Sequence, residues 1–122
     1  MSDEFHRVAR QEIQSEMDSL NEIFLTCIND EQLYEKSTEI EKHMHKIKGL
    51  APMMEQEKVG EIARICDVIL KHVANHGTLK GSYVIITEAV KMMSSLFSDH
   101  VDIQIDNFRR HVTESCPEIS GL

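Results

Sequence analysis

Apolar residues recur at three- and four-residue intervals along almost the whole chain, and no segment alternates with a period of two. That pattern places an apolar stripe on each of several helices and leaves nothing from which to build a sheet. Phe5, Ala9, Ile13, Met17, Leu20, Phe24 and Cys27 mark the first helix, with Ser2 as its cap and Asp3 and Glu4 favouring its N-terminus. Asn29 and Asp30 interrupt the run, and Asp30 is positioned to cap the next helix. Leu33, Ser37, Ile40, Met44, Ile47, Ala51 and Met54 mark the second. Val59, Ile62, Cys66, Ile69 and Val73 mark the third, which Gly77 can end in a left-handed conformation. Ser82 caps a fourth, carrying Ile85, Ile86, Ala89, Val90, Met93, Leu96 and Phe97 inward. Val101, Ile105, Phe108 and Val112 give a weaker fifth segment.

Short connections make neighbouring helices antiparallel. The expected fold is therefore all-α: an antiparallel four-helix bundle with an additional C-terminal helix. It would occupy residues 1–115 as one domain, with 116–122 a frayed tail. A chain of 122 residues with 41% hydrophobic content, two prolines and five glycines suits one globular domain.

The net charge of −8 argues against binding nucleic acid, which selects for a basic face, and against docking on an anionic membrane. Cys27, Cys66 and Cys116 are odd in number and form no C-x-x-C, the usage of reduced core thiols in a cytoplasmic protein. The charged opening MSDEFHRVARQE lacks the apolar stretch of a signal peptide. No apolar run approaches the roughly 18 residues of a membrane span.

The segment HMHKIKGLAPMM, residues 43–54, carries the functional question. At about 100° per residue, His45 lies well away from the centre of the second helix's apolar face, alongside Tyr34, Thr38, Glu41, Gly49 and Pro52. His43 falls towards the other side, nearer the core boundary, and reads as a boundary side chain. Residues two apart do not face each other on a helix, so an intact helix does not let this pair hold one metal. Lys48 and Gly49 lie one turn beyond His45. A glycine inside a helix costs about 1 kcal/mol relative to alanine, and here it clears the surface beside an exposed imidazole. A nucleophile, an adjacent cation and an open approach suit a phosphoryl group.

The stretch HKIKG, His45 to Gly49, resembles the H-x-x-K-G signature of histidine phosphotransfer (HPt) domains. The resemblance extends to the helical pattern and is greatest to the N-terminal phosphoacceptor domain of chemotaxis-type histidine kinases. In that family an acidic residue often stands 22 positions after the histidine and hydrogen-bonds the imidazole; here it is Asp67. A basic residue or histidine often stands 19 positions after it; here it is Arg64. The segment IARICDVIL, Ile62 to Leu70, aligns without a gap. Where the family commonly has glycines seven and ten residues after the histidine, this chain has Pro52 and Glu55, and Pro52 should kink or end the helix.

The resemblance implies two-component signalling. His45 would accept a phosphoryl group from a histidine kinase catalytic domain or a phosphorylated receiver, and pass it to an aspartate of a response-regulator receiver domain. Asp67 would orient the ring, Lys48 would neutralise phosphoryl oxygens, Gly49 would give access, and Arg64 is a further candidate. No glycine-rich nucleotide loop is present, so the chain should not bind ATP; no cofactor or resident metal is expected, any Mg²⁺ would belong to the receiver, and the isolated domain should be a monomer. Two alternatives stand beside this: a non-catalytic HPt-like adaptor, and a metal-binding bundle using His72 and His76. No histidine has a glutamate three residues before it, as di-iron bundles require.

Overall fold

A computed structural model describes residues 3–99 and 101–122. These residues form six helices and no strand: α1 (Asp3–Ile23), α2 (Asp30–Glu35), α3 (Ser37–Leu50), α4 (Glu57–His76), α5 (Ser82–Ser98) and α6 (Ile105–Ser115). The chain is all-α, as its periodicity predicts. The proposed cap at Ser2 lies outside the described residues.

The core is filled by the residues that set each stripe. Ile13, Met17 and Leu20 of α1 meet Ile40, Met44 and Ile47 of α3, and Ile62, Ile65, Cys66, Ile69 and Leu70 of α4. Ile86, Ala89, Met93 and Phe97 of α5 complete it. Each fully buried leucine, isoleucine or phenylalanine contributes about 1.5–3 kcal/mol. Helix α3 makes its most extensive contact with α4 and also packs on α1; α5 contacts both α4 and α1, and α6 lies against α4. The three cysteines are free and buried. Among the described residues, no helix is long and apolar enough to cross a membrane.

Several local readings change. The second predicted helix is two helices, bent at Lys36 (φ −102°, ψ 7°), where Ser37 Oγ donates to the Tyr34 carbonyl at 2.8 Å. The cap of α2 is Asn29, whose Oδ1 accepts from the Gln32 amide at 2.8 Å. Asp30 instead reaches across to α5: its carboxylate accepts from the amides of Gly81 (3.0 Å) and Tyr83 (2.8 Å). Ser82 is the first residue of α5, not its cap, and its hydroxyl donates to the Leu79 carbonyl at 2.6 Å. Gly77 does follow α4 with a positive φ of 102°, but its ψ of −172° lies outside the left-handed helical region.

Pro52 ends α3 because it offers no N–H to the preceding turn. The chain tightens into a 3-10 turn at Pro52–Met54, and Glu55 adopts the left-handed conformation (φ 61°, ψ 27°). The Gln56 amide then bonds back to the Ala51 carbonyl at 2.9 Å. Gly60 of α4 makes room for this turn, since a Cβ there would lie 2.9 Å from Pro52 Cγ.

Residues 116–122, expected to fray, pack against the helices. Cys116 and Ile119 are buried, and the Gly121 carbonyl accepts from Arg64 at 3.2 Å. Arg109 of α6 bonds Glu61 of α4 at 2.9 Å, and Lys58 of α4 pairs with Asp102.

Two stability outcomes follow from these contacts. Asp30→Ala strips acceptors from two amides at the start of α5 and is expected to cost about 1–2 kcal/mol. Urea denaturation, with Glu31→Ala as the neutral control, measures it. Glu55→Gly removes a side chain from the left-handed region and is expected to stabilise by about 0.5–1 kcal/mol after glycine's larger unfolded-state entropy is counted. The same denaturation curves check that sign.

Candidate functional site

His45 projects from the middle of α3 with 62% of its side chain exposed, while Asp67 of α4 is 96% covered, its side chain 4% exposed. The helical periods explain the difference. His45 sits on the flank of α3 that abuts α4 but above the packed stripe, whereas Asp67 directly follows the fully buried Cys66 and is drawn into the seam. The imidazole nitrogen that faces the carboxylate is Nδ1, 4.0 Å from Asp67 Oδ2. That is an electrostatic contact and too long for a hydrogen bond. It leaves Nε2 as the nitrogen turned away from the carboxylate.

Asp67 Oδ2 is held by two ammonium groups. Lys48 Nζ donates to it at 2.9 Å from α3, and Lys71 Nζ at 3.0 Å from one turn along α4. Burial pushes the Asp67 carboxyl up, but hydrogen bonding from Glu41, Lys48 and Lys71 outweighs it and brings the group down to about 2. The Glu41 carboxyl moves the opposite way: its hydrogen bond with Asp67, and then burial, raise it above the ordinary glutamate range. Asp67 Oδ1 is buried and receives no donor from the ionised side chains.

Gly49 is exposed, and a Cβ built there meets nothing within 4 Å. The surface one turn beyond His45 is therefore open, as the sequence predicts. A shallow groove of about 480 Å³ runs beside the imidazole and is lined by His45, Glu41, Lys71, His43, Lys42 and Lys46, among others.

His45, Lys48, Gly49 and Asp67 thus come together. Arg64 does not join them: its guanidinium bonds Glu61 at 2.7 Å and the Gly121 carbonyl, so it serves the α4–tail contact. Lys48 is paired with Asp67, not free. Sequence reasoning missed Lys71 and Glu41 as participants. Both are one turn from a site residue, Lys71 at i+4 from Asp67 and Glu41 at i−4 from His45, so the spacing rule for helix neighbours was the available signal.

His43 is the boundary residue expected, but it is not idle. Its Nδ1 lies 2.6 Å from Glu16 Oε2 of α1, and Glu16 also binds Lys46 Nζ at 3.1 Å. His72 and His76 stack at 4.2 Å, and His76 Nδ1 bonds the His72 carbonyl. The two rings lie stacked on the surface of α4. Among the described residues, Glu41, His45 and Asp67 are the group whose ligand atoms cluster, within 4.8 Å of one another. The ammonium groups of Lys48 and Lys71 on Asp67 oppose a dication there.

The depressed Asp67 carboxyl has a pH signature. A carboxyl lowered on folding contributes stability above its unfolded value, and that contribution is lost as pH falls through the folded one. The drop from 3.8 to about 2 corresponds to about 2 kcal/mol lost between about pH 4 and pH 2. Raised Glu41 acts oppositely, stabilising at low pH and losing its contribution as pH rises through its folded value. In a Glu41→Gln background, the unfolding free energy from urea denaturation is expected to fall across this window, and adding Asp67→Asn should flatten that part of the slope.

No family model matches the chain, and no curated protein or solved structure is significantly similar to it.

Proposed function

We propose that this chain is a histidine phosphotransfer domain in which His45 is the phosphoacceptor. One observation carries the reading: an exposed imidazole in mid-helix whose Nδ1 faces a buried, ionised aspartate of the neighbouring helix. The open surface at Gly49 and the lysine at i+3 support it. So does Glu55, which adopts a positive φ at a position where the family commonly carries glycine. The packing of α1, α3, α4 and α5 is read as the antiparallel four-helix bundle of that family, with α2 as a lead-in and α6 as the additional helix.

In this reading His45 Nε2 attacks the γ-phosphorus of ATP held by a histidine kinase catalytic domain. The N–P bond forms as the bond to ADP breaks. Positive charge left on the ring is offset by Asp67 across 4.0 Å. Lys48 shares its carboxylate with Lys71, so it can turn towards the phosphoryl oxygens while Lys71 keeps the buried charge paired. A receiver aspartate then attacks the same phosphorus and the imidazole leaves. The receiver would contribute its own Mg²⁺, and no resident cofactor is needed here. The cytoplasm is the compartment where such partners reside.

Incubated with a histidine kinase catalytic domain and ATP, the protein is expected to gain one acid-labile phosphoryl group. His45→Gln should abolish this gain, and His43→Gln should leave it intact. Gly49→Gln should slow transfer to a receiver without loss of folding, because the added side chain stands in open space beside the ring. Normal kinase labelling of His45→Gln would end the proposal.

A further inference from the structure

The helix that carries His45 repeats its spacing two residues earlier: His43 and Lys46 stand in the same H-x-x-K relation as His45 and Lys48. The repetition extends into space. His45 leans on a buried carboxylate of α4, and His43 on a buried carboxylate of α1. Glu16 is the deeper-bonded of the two partners. Its side chain is 6% exposed, its Oε2 lies 2.6 Å from His43 Nδ1, and its Oε1 takes Lys46 Nζ at 3.1 Å. Burial pushes the Glu16 carboxyl up, but the bonds to His43 and Lys46 outweigh it and lower the group, so it is ionised at neutral pH.

An ionised acceptor at hydrogen-bond distance fixes the proton of a neutral imidazole on Nδ1 and leaves the lone pair on Nε2. The arrangement that prepares a nucleophile is therefore more complete at His43 than at His45, where the corresponding distance is 4.0 Å. What differs is access. The His43 side chain is 21% exposed, in the seam between α1 and α3, and the residue four positions on is the buried Ile47 in place of a glycine. The ring opens onto a groove of about 530 Å³ bordered by Ser19, Glu22, Thr26 and Lys36. The ring also lines the groove beside His45, and its lower exposure is what favours a small donor over the face of a folded domain.

We propose that His43 is a second phosphoacceptor, selective for small phosphodonors such as phosphoramidates and acyl phosphates. The inference rests on the geometry of His43 itself and does not require the His45 reading. With phosphoramidate, the Nε2 lone pair forms the new N–P bond as the donor's P–N bond breaks. That bond's electrons depart with ammonia. The ring keeps its Nδ1 proton and one positive charge, which Glu16 offsets, and Lys46 is placed to turn from Glu16 to the phosphoryl oxygens.

The test treats the wild-type chain, His45→Gln and His45→Gln/Glu16→Gln with phosphoramidate and maps phosphohistidine by peptide mass spectrometry over time. Exposed His6 serves as the internal background. His43 is expected to label at least about tenfold faster than His6 in both the wild-type and His45→Gln chains, although it is the less exposed ring. Glu16→Gln, which keeps an acceptor oxygen for Nδ1–H but removes the charge, should slow His43 by a similar factor while far-ultraviolet circular dichroism is unchanged. Labelling of His45 with His43 no faster than His6 overturns this inference alone and makes the His43–Glu16 pair a cross-helix tie only. Labelling of neither ring above His6 overturns it as well. Fast His43 labelling that ignores Glu16→Gln overturns the role assigned to the carboxylate.

Discussion

Asp67 joins α3 to α4 by holding a full negative charge inside the seam between them. A carboxylate 3% exposed is costly to desolvate and persists only if paired. Two lysines meet that need from different helices, Lys48 from α3 and Lys71 from α4. The position of His45 follows from the same pairing, because Lys48 and His45 share one flank of α3 and are brought to Asp67 together. The duplicated ammonium partner is what makes the site capable of change. In the proposed transfer, one lysine would leave for the incoming phosphoryl group while the other keeps the buried charge paired.

The two histidines show how burial divides similar chemistry. Both face a carboxylate through Nδ1, and both have lysine at i+3. His45 trades a close hydrogen bond for exposure and has open surface at Gly49. His43 has the close bond and little exposure. On the proposed readings, a macromolecular partner would select the first and a small donor the second. The turn after α3 keeps this surface in place: Pro52 stops the helix, Glu55 reverses the chain at a positive φ, and Gly60 of α4 lets the proline ring pack close.

Helix positions and core faces were readable from periodicity, and so were the exposure of His45 and the open surface at Gly49; the nearness of Asp67 was implied by the resemblance. Each depends on spacing within one helix or on a pattern of residues carried by the resemblance. The rest depended on register between helices, which spacing does not encode. Asp30 looked like a local cap, yet it caps α5 more than fifty residues away. Arg64 looked like a site residue, yet its turn of α4 faces the tail. Glu16 lies outside the apolar stripe read for α1, yet it is buried and held by His43 and Lys46. The break at Lys36 was hidden because Leu33 and Ser37 keep the helical interval across the bend. The tail looked polar and short, yet Cys116 and Ile119 found apolar cover.

The proposed chemistry stands or falls on which atom receives phosphorus from a protein kinase domain. Nitrogen-15 and phosphorus-31 correlated NMR of the enzymatically phosphorylated protein reads that atom directly. The account expects phosphorus coupled to Nε2 of His45, with Nδ1 of the same ring still protonated towards Asp67. Phosphorus on His45 Nδ1, or on any other side chain, would contradict it.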